Sequence, residues 1–226
     1  MTRPLAVIVG AGPGIGLAVA RRFALGGFAL AVVSRPADPL AAFQAALEVP
    51  EPGAEPGPAL VLAADLALEA PLREALAAIA AWGGSPEVLV YNASAGAHGP
   101  AADLDPARLQ AAFRVSAGAA LACAQWALPA MRAAGRGTLL FTGGGLALEP
   151  KPGLAAAAMG KAALRSLALS LARELEPEGI HAATVTIRGF VQPGTPLSPE
   201  RIAQVFWDLH LQKKGDWETE RTLDPP

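Results

Sequence analysis

The sequence predicts an α/β fold in which one doubly wound parallel sheet is covered by helices on both faces. Short runs of strand length alternate with longer helical stretches along most of the 226 residues. These short runs are apolar at every position rather than at every second one, which indicates strands buried on both sides. Strands and helices in regular alternation are typical of a parallel sheet between two helical layers. The length suits one large domain.

Clusters of glycine and proline separate most of the predicted elements. The predicted strands are 5–9, 28–34, 60–64, 88–91, 138–142 and 181–187. The predicted helices are 16–25, 39–47, 70–82, 106–134, 154–176 and 199–212. Asp38, just before a proline, is expected to cap the second helix.

Two irregular segments complete this assignment. Residues 48–59 hold four prolines and two glycines and are expected to form a loop. The chain beyond 212 is expected to be an exposed tail, because it carries charged clusters and ends in prolines. We therefore expect a single main domain over 1–197, with the C-terminal helix and tail over 198–226 packed on it.

The composition excludes several classes of protein. Apolar residues make up 52% of the chain and charged residues 17%, the opposite of a disordered sequence. The net charge of −2 provides no basic footprint for nucleic acid. Cys123 is the single cysteine, so neither an internal disulfide nor a cysteine-rich metal site is expected. The apolar run at the N-terminus is too short for a membrane span, and glycine and proline interrupt it too early for a signal peptide. We expect a cytoplasmic protein that binds a small molecule and neither nucleic acid nor a membrane.

A glycine loop links the first predicted strand to the first predicted helix. Its glycines are Gly10, Gly12, Gly14 and Gly16, with Ile15 between the last two. Glycines let the backbone turn sharply and bring its N–H groups against a pyrophosphate at the helix N-terminus. Because a strand precedes the loop and a helix follows it, the context indicates a Rossmann-type dinucleotide site. The alternative is a glycine-rich turn that binds nothing.

The end of the second predicted strand bears on the choice of cofactor. An acidic residue there would hold the ribose hydroxyls of NAD(H), but the sequence reads Val33-Ser34-Arg35. The planar guanidinium of Arg35 can pair with a 2′-phosphate. Arg35 therefore favours NADP(H) over NAD(H), unless it is only a solvated surface arginine.

With these features in place, the chain resembles the short-chain dehydrogenase/reductase family over about residues 5–195. Gly10, Gly14 and Gly16 match the glycine loop of that family. The resemblance implies that Asp65, followed by Leu66, contacts the adenine. Asn92 and Ala93 match two of the four positions in the family's Asn-Asn-Ala-Gly segment.

The family's catalytic set is a Ser, a Tyr, a Lys four residues after the Tyr, and an Asn on the preceding long helix. A spacing of four places the Tyr and Lys on one helix face, where the ammonium lowers the pKa of the phenol. Lys161 matches the Lys, but Ala157 stands at the Tyr position and Gly144 at the Ser position. Ser116 stands where the Asn belongs. The chain thus resembles an atypical branch that lacks the Tyr and Ser.

The resemblance leaves Lys161 to hold the nicotinamide ribose, with no family proton donor beside it. His98, in the loop after the fourth predicted strand, is one candidate for a substitute acid, and a solvent-exposed loop residue is the other interpretation. Thr142, Ser94 and bound water are weaker candidates. After the sixth predicted strand, Gly189 matches the family's Pro-Gly glycine, and the backbone of Val191 is expected to meet the nicotinamide carboxamide.

The helix predicted over 154–176 is apolar almost all round, which is typical of a helix buried on every side. In the family the equivalent helix packs against its copy, so the resemblance implies a homodimer or homotetramer.

Three functions stay open. The first is an NADP(H)-dependent oxidoreductase acting on a carbonyl or alcohol with a degenerate proton relay. The second is a catalytically inactive NADP(H)-binding sensor or structural subunit. The third, an epimerase or dehydratase, also needs the missing tyrosine. The family favours the first and the missing Tyr and Ser favour the second, so activity itself is left open.

Overall fold

The structure, a computed structural model, describes residues 3–36, 40–48 and 57–225. Within these ranges all strands join one sheet in the order β3-β2-β1-β4-β5-β6-β7, and every neighbouring pair is parallel. The strands are β1 (Leu5–Val9), β2 (Ala29–Ser34), β3 (Ala59–Ala63), β4 (Val88–Tyr91), β5 (Gly137–Thr142), β6 (Ile180–Ile187) and β7 (Glu220–Leu223). This confirms the predicted α/β fold with a doubly wound parallel sheet.

Helices cover both faces of the sheet, as predicted. They are α1 (Ile15–Leu25), α2 (Leu40–Glu48), α3 (Glu69–Gly83), α4 (Pro106–Phe113), α5 (Ala119–Ala134), α6 (Ala155–Leu175) and α7 (Pro199–His210). One apolar cluster packs α3, α5 and α6 on the sheet, and a second packs α1, α2 and α7 on the other face. None of the described helices is both long and apolar enough to cross a membrane.

The strand order creates a crevice at one edge of the sheet. From β1 the chain runs outward through β2 to β3, and then returns to the other side of β1 as β4. The loops that leave β1 and β4 therefore diverge at the carboxyl ends of these strands. In doubly wound sheets, ligands bind at such a point.

The helix predicted over 106–134 is interrupted in the structure. A π-helix, Arg114–Gly118, separates α4 from α5. The Tyr91 hydroxyl donates a hydrogen bond to the Val115 carbonyl inside this segment. Side chains that bond to the helix ladder are one cause of such irregularities, and π-helical turns are frequent at functional sites. Apolar periodicity cannot reveal the interruption because the residues around it keep helical spacing.

The exposed tail predicted beyond 212 is wrong, because part of it forms β7 and extends the sheet. Arg165 of α6 donates to the Glu220 carboxylate from Nε at 2.8 Å and Nη2 at 2.5 Å, and Thr186 donates to it at 2.6 Å. The Trp217 ring stacks on His181 with ring centres 5.1 Å apart. Glu220 of this strand forms hydrogen bonds with side chains of α6 and β6. The charged pattern of the segment therefore did not indicate a tail exposed to solvent.

Three smaller points complete the comparison. The helix predicted over 199–212 ends at His210. One face of α6 is exposed in the single chain, where Met159 is 48% exposed, so this helix is not buried on every side. Asp38 and most of the loop predicted over 48–59 lie outside the described residues.

Candidate cofactor and substrate site

A cavity of about 1270 Å³ opens at the carboxyl ends of the strands. Loops that follow β1 to β6 contribute to its wall, as does the segment after β7. Its wall includes every residue predicted to bind the cofactor: Gly10, Gly12, Gly14, Ile15, Gly16, Arg35, Asp65, Leu66, Asn92, Ala93, Lys161, Gly189 and Val191. The fold thus brings together residues that lie far apart in the sequence.

The glycines of the loop after β1 fall into two groups. Gly10 has φ +88°, and a Cβ there would lie 2.2 Å from the Ala93 nitrogen. A Cβ on Gly16 would lie 2.6 Å from the Ala11 Cα. These two glycines are therefore required by the packing of the protein itself. In contrast, a Cβ on Gly12 or Gly14 would meet no atom within 4 Å, and neither has a positive φ. Their missing side chains leave space in the cavity.

The N-terminus of α1 faces the same space. Gly14 is its N-cap residue, and no side chain caps the first turn. By contrast, Ser198 caps α7 and Asp105 caps α4. An uncapped helix N-terminus presents backbone N–H groups and the positive end of the helix dipole to a bound anion. The loop and the helix together suit a phosphate group.

The end of β2 contributes Ser34 and Arg35 to the cavity wall. Ser34 is only 3% exposed, and its hydroxyl has no hydrogen-bond partner among the described residues. A buried hydroxyl without a partner is costly, unless a ligand satisfies it. Asp65, after β3, is exposed, and its carboxylate accepts from the Ala67 N–H at 2.9 Å.

A chain of hydrogen bonds joins the ends of β1, β4 and β5. Asn92 donates from Nδ2 to the Gly10 carbonyl at 2.7 Å, and its Oδ1 accepts from the Thr142 hydroxyl at 2.8 Å. Lys161 donates from Nζ to the Thr142 carbonyl at 2.7 Å. Asn92 therefore fixes the glycine loop relative to β5, and Thr142 fixes the amine of Lys161.

Lys161 is the ionisable group set deepest in the cavity wall. It is half-buried, and burial lowers its pKa to about 8 because the charged ammonium loses solvation. One of its three N–H groups is used by the Thr142 carbonyl. The others are available to a molecule in the cavity.

Gly144 and Ala157, matched in the sequence to the family's Ser and Tyr positions, leave room beside this lysine. A Cβ on Gly144 would lie 3.7 Å from Lys161 Cε, an ordinary contact distance. Ala157 is one helical turn before Lys161 in α6, and its Cβ faces Gly96 of the cavity wall. Neither residue provides a polar side-chain atom.

Ser116 and His98 do not line the cavity. Ser116 is buried, and its hydroxyl accepts from the Ala95 N–H at 3.1 Å and donates to the Ala95 carbonyl at 3.2 Å. This side chain ties the π-helix to the loop after β4. His98 is exposed in that same loop. The geometry brings neither residue to the wall with Lys161, so it does not favour a direct chemical role for either.

The segment after β7 closes one side of the cavity. Asp224 and Pro225 are part of its wall, and the Asp224 carboxylate pairs with Arg188 at 3.0 Å. Arg188 follows β6 and also lies against Gly145, where a Cβ would be 3.1 Å from the Arg188 Cα. The exposed Phe190 and Val191 extend the same wall.

The geometry agrees with comparisons of the whole chain. Residues 4–201 match the short chain dehydrogenase family. The oxidoreductase asL5 of Sarocladium schorii is 33% identical over 180 residues, which cover 80% of this chain and 69% of that protein. The short-chain dehydrogenase/reductase eriH of Hericium erinaceus is 32% identical over 207 residues, covering 90% and 80% respectively. The chain belongs to the short chain dehydrogenase family of oxidoreductases.

Solved structures share the fold over nearly all of their length. A metagenomic short-chain oxidoreductase in complex with NADP is 28% identical, with a TM-score of 0.86 and coverage of 100% of this chain and 98% of that one. A short-chain dehydrogenase from Rhodopseudomonas palustris is 29% identical, with a TM-score of 0.85 and 99% coverage of both chains.

Sequence reasoning missed several residues of the cavity wall, among them Ser34, Asp224 and Pro225. Ser34 stands at the carboxyl end of a predicted strand next to Arg35, and that position alone could have marked it. Asp224 and Pro225 offered no such signal, because the strand that carries them to the cavity is short and charged.

Proposed function

We propose that the chain is an NADP(H)-dependent oxidoreductase that interconverts a carbonyl and an alcohol with a degenerate proton relay. The observation that carries the proposal is the open side of the glycine loop. A Cβ on Gly12 or Gly14 would contact no other atom of the protein within 4 Å, and both glycines border a cavity that also contains Lys161. A bound dinucleotide explains both facts.

The residues at the end of β2 support NADP(H) as this cofactor. Arg35 supplies a planar set of donors for a 2′-phosphate, and the unsatisfied hydroxyl of the buried Ser34 lies beside it in the wall. The metagenomic relative with NADP bound adds support, since it has the same fold over the whole chain. No carboxylate stands at this turn to favour the ribose hydroxyls of NAD(H).

The remaining residues have separate tasks in this proposal. The N-terminus of α1 would hold the pyrophosphate, and Asp65 would lie near the adenine. Lys161 would hold the nicotinamide ribose through one of its free N–H groups, while Gly189 and the Val191 backbone would border the carboxamide. The reduced nicotinamide, when bound, supplies a hydride. The protein supplies proximity and orientation, which hydride transfer needs as much as an acid.

Single-turnover mixing with NADPH and a broad panel of ketones, aldehydes and quinones tests the activity. We expect the nicotinamide absorbance to fall with at least one carbonyl. No loss of absorbance across the panel, with NADPH bound, would contradict the enzyme hypothesis.

The alternative is a non-catalytic NADP(H)-binding sensor or subunit, and Ala157 and Gly144 favour it. The double variant Ala157→Tyr, Gly144→Ser separates the two hypotheses. Gly144 has space for the added atoms. If the parent is silent and the variant reduces carbonyls, the parent is a binding protein with an otherwise intact site.

The cofactor preference is tested by Arg35→Ala. We expect the affinity for NADPH to fall about 10- to 100-fold and that for NADH to change little, as suits a charged hydrogen bond. An unchanged ratio of the two affinities would show the NADP(H) assignment to be wrong.

We also propose that the chain forms a homodimer or homotetramer. Phe113 of α4, Leu121 of α5 and Met159 of α6 are exposed apolar side chains in the described part of the chain. Light scattering after size-exclusion chromatography tests this, with Met159→Glu expected to shift the mass toward a monomer.

A further inference from the structure

We propose that Lys161 is itself the proton donor in carbonyl reduction and the proton acceptor in alcohol oxidation. This inference rests on the proposed function and concerns the same cavity. It assigns to the lysine the step for which the family employs its tyrosine.

The ionisable residues of the cavity wall differ sharply in their position. They are Arg35, Asp65, Glu149, Lys151, Lys161, Arg188 and Asp224. All except Lys161 are exposed. Arg35 and Asp65 follow β2 and β3, on the far side of the glycine loop from β5. Arg188 and Asp224 are paired with each other at 3.0 Å. Lys161 is therefore the ionisable group best shielded from water in this wall.

The nearby hydroxyl groups are engaged or unsuited to the task. Thr142 donates its proton to Asn92, and Ser116, which does not line the cavity, donates to the Ala95 carbonyl. The buried Tyr91 donates to the Val115 carbonyl, and burial raises the pKa of its phenol well above the ordinary value. Ser94 is exposed, and an aliphatic hydroxyl releases a proton far less readily than an ammonium.

The missing side chains give a bound carbonyl access to the lysine. In a tyrosine-containing site, the phenol would stand one turn before Lys161 on the same helix face. Ala157 has no such group. Gly144 has no side chain to cover the aliphatic part of Lys161, since a Cβ there would lie 3.7 Å from Lys161 Cε. The amine is fixed by the Thr142 carbonyl at 2.7 Å and keeps two N–H groups for other partners.

The chemistry of the step is balanced. The carbonyl carbon gains the hydride, and the electron pair of the C=O bond moves to the oxygen. That oxygen takes a proton from the ammonium of Lys161, which becomes a neutral amine and regains a proton from water. Burial lowers the pKa of Lys161 to about 8, close to the operating pH that suits a general acid.

The first experiment measures the lysine directly and needs no turnover. The chain contains four lysines, Lys151, Lys161, Lys213 and Lys214. Reductive methylation with ¹³C-formaldehyde gives each a resolvable NMR signal, assigned by Lys→Arg variants. We expect the Lys161 signal to titrate near pH 8. A Lys161 signal that titrates at the ordinary lysine value of about 10.4 overturns this inference and leaves the proposed function standing.

The second experiment follows reduction of acetophenone, benzaldehyde and benzil by NADPH in three variants. Lys161→Arg keeps a positive charge and N–H donors but cannot release a proton, so we expect it to bind NADPH and reduce at least about 100-fold more slowly. Lys161→Ala should be as slow and should be rescued by added methylamine or ethylamine, with a rate that depends on the pKa of the amine. Lys213→Ala, exposed and outside the cavity, is the control at the wild-type rate.

The outcomes separate the two proposals. Wild-type rates in Lys161→Arg, or no rescue of a folded Lys161→Ala, overturn the role of the lysine alone. A comparable loss in Glu149→Gln, with Lys161→Arg active, assigns the step to that carboxylate instead. If the wild-type chain binds NADPH and reduces no carbonyl, the proposed function fails and this inference fails with it. Should Lys161→Ala not fold, Lys161→Arg decides the matter.

Discussion

The two ends of the cavity lack side chains for different reasons. At the end that we propose binds the cofactor phosphates (the phosphate end), Gly12 and Gly14 leave space next to the uncapped N-terminus of α1. At the other end, Gly144 and Ala157 stand at the positions matched to the family's Ser and Tyr. In our proposal, the small side chains at the first end make room for a ligand, whereas those at the second end omit chemical groups. We therefore expect variants to change binding without chemistry, or chemistry without binding.

The largest effect is expected from a pair of glycine variants at the phosphate end. Gly10→Ala forces an L-residue to φ +88° and drives a Cβ to 2.2 Å from the Ala93 nitrogen, so we expect a loss of at least about 3 kcal/mol in the free energy of unfolding. Gly12→Ala meets nothing within 4 Å and should keep its Tm while NADPH binding weakens. Urea unfolding measures the free energy of unfolding, thermal unfolding measures the Tm, and fluorescence titration measures the affinity for NADPH. Equal losses of stability in both variants would mean that the packing of the protein requires Gly12 as it requires Gly10.

The fold, and the placement of the glycine loop in the cavity wall, could be predicted from the sequence because their signals are local. The strand before Gly10 and the helix after Gly16 lie in one continuous segment, and a buried parallel strand such as Val88–Tyr91 is apolar throughout. The end of the cavity near Asp224 could not be predicted in this way. It depends on β7, whose charged residues bond to side chains such as Arg165, which are distant in the sequence.

The π-helix escaped prediction for a related reason. The Val115 carbonyl within it accepts a hydrogen bond from Tyr91, a contact between residues 24 apart in the sequence that a local pattern cannot show. Likewise, the pattern around Ser116 and His98 could not show that neither residue lines the cavity. Position within a motif indicates the neighbourhood of a residue, and only the packing decides which of its neighbours it meets.

The next effect concerns Lys161 and the free energy of unfolding at different pH values. Folding lowers the pKa of this lysine from 10.5 to about 8, so burial of the charge costs up to about 3 kcal/mol below pH 8. Lys161→Met removes that cost but leaves the Thr142 carbonyl without its donor, and we expect a net gain of about 1–2 kcal/mol at pH 7. Between pH 8 and 10.5 the unfolded wild-type chain binds more protons, so its stability rises and the advantage of the variant shrinks. Unfolding of both proteins in urea at several pH values measures this. An advantage that is constant with pH would contradict it.

An effect on stability of similar size is expected at the end of the cavity near β7. Glu220 accepts hydrogen bonds from Arg165 and Thr186, and the Arg165 bond holds the pKa of Glu220 below its ordinary value of 4.5. We expect Glu220→Gln to lose about 1–2 kcal/mol, or roughly 3–6 °C in Tm, near neutral pH. This contribution is present above pH 4.5 and fades as the pH falls further, so the two proteins should converge in acid. We expect Glu220→Gln to change the affinity for NADPH less than it changes turnover. The reverse result would contradict the separation of cofactor binding from chemistry between the two ends of the cavity.

The smallest effect is expected at Ser34, where the phosphate end has a group without a partner. Its hydroxyl is buried, and no described residue bonds to it. If the 2′-phosphate of NADPH supplies the partner, Ser34→Ala should weaken NADPH binding about 2- to 10-fold, as the net contribution of one typical hydrogen bond predicts. It should leave NADH binding unchanged and stabilise the apoprotein slightly, because an unsatisfied hydroxyl is removed. Calorimetric titration of both cofactors measures the affinities, with Ser34→Thr as the variant that retains the hydroxyl. Equal losses for NADPH and NADH would assign the hydroxyl to a part that both cofactors share and would leave Arg35 alone to discriminate between them.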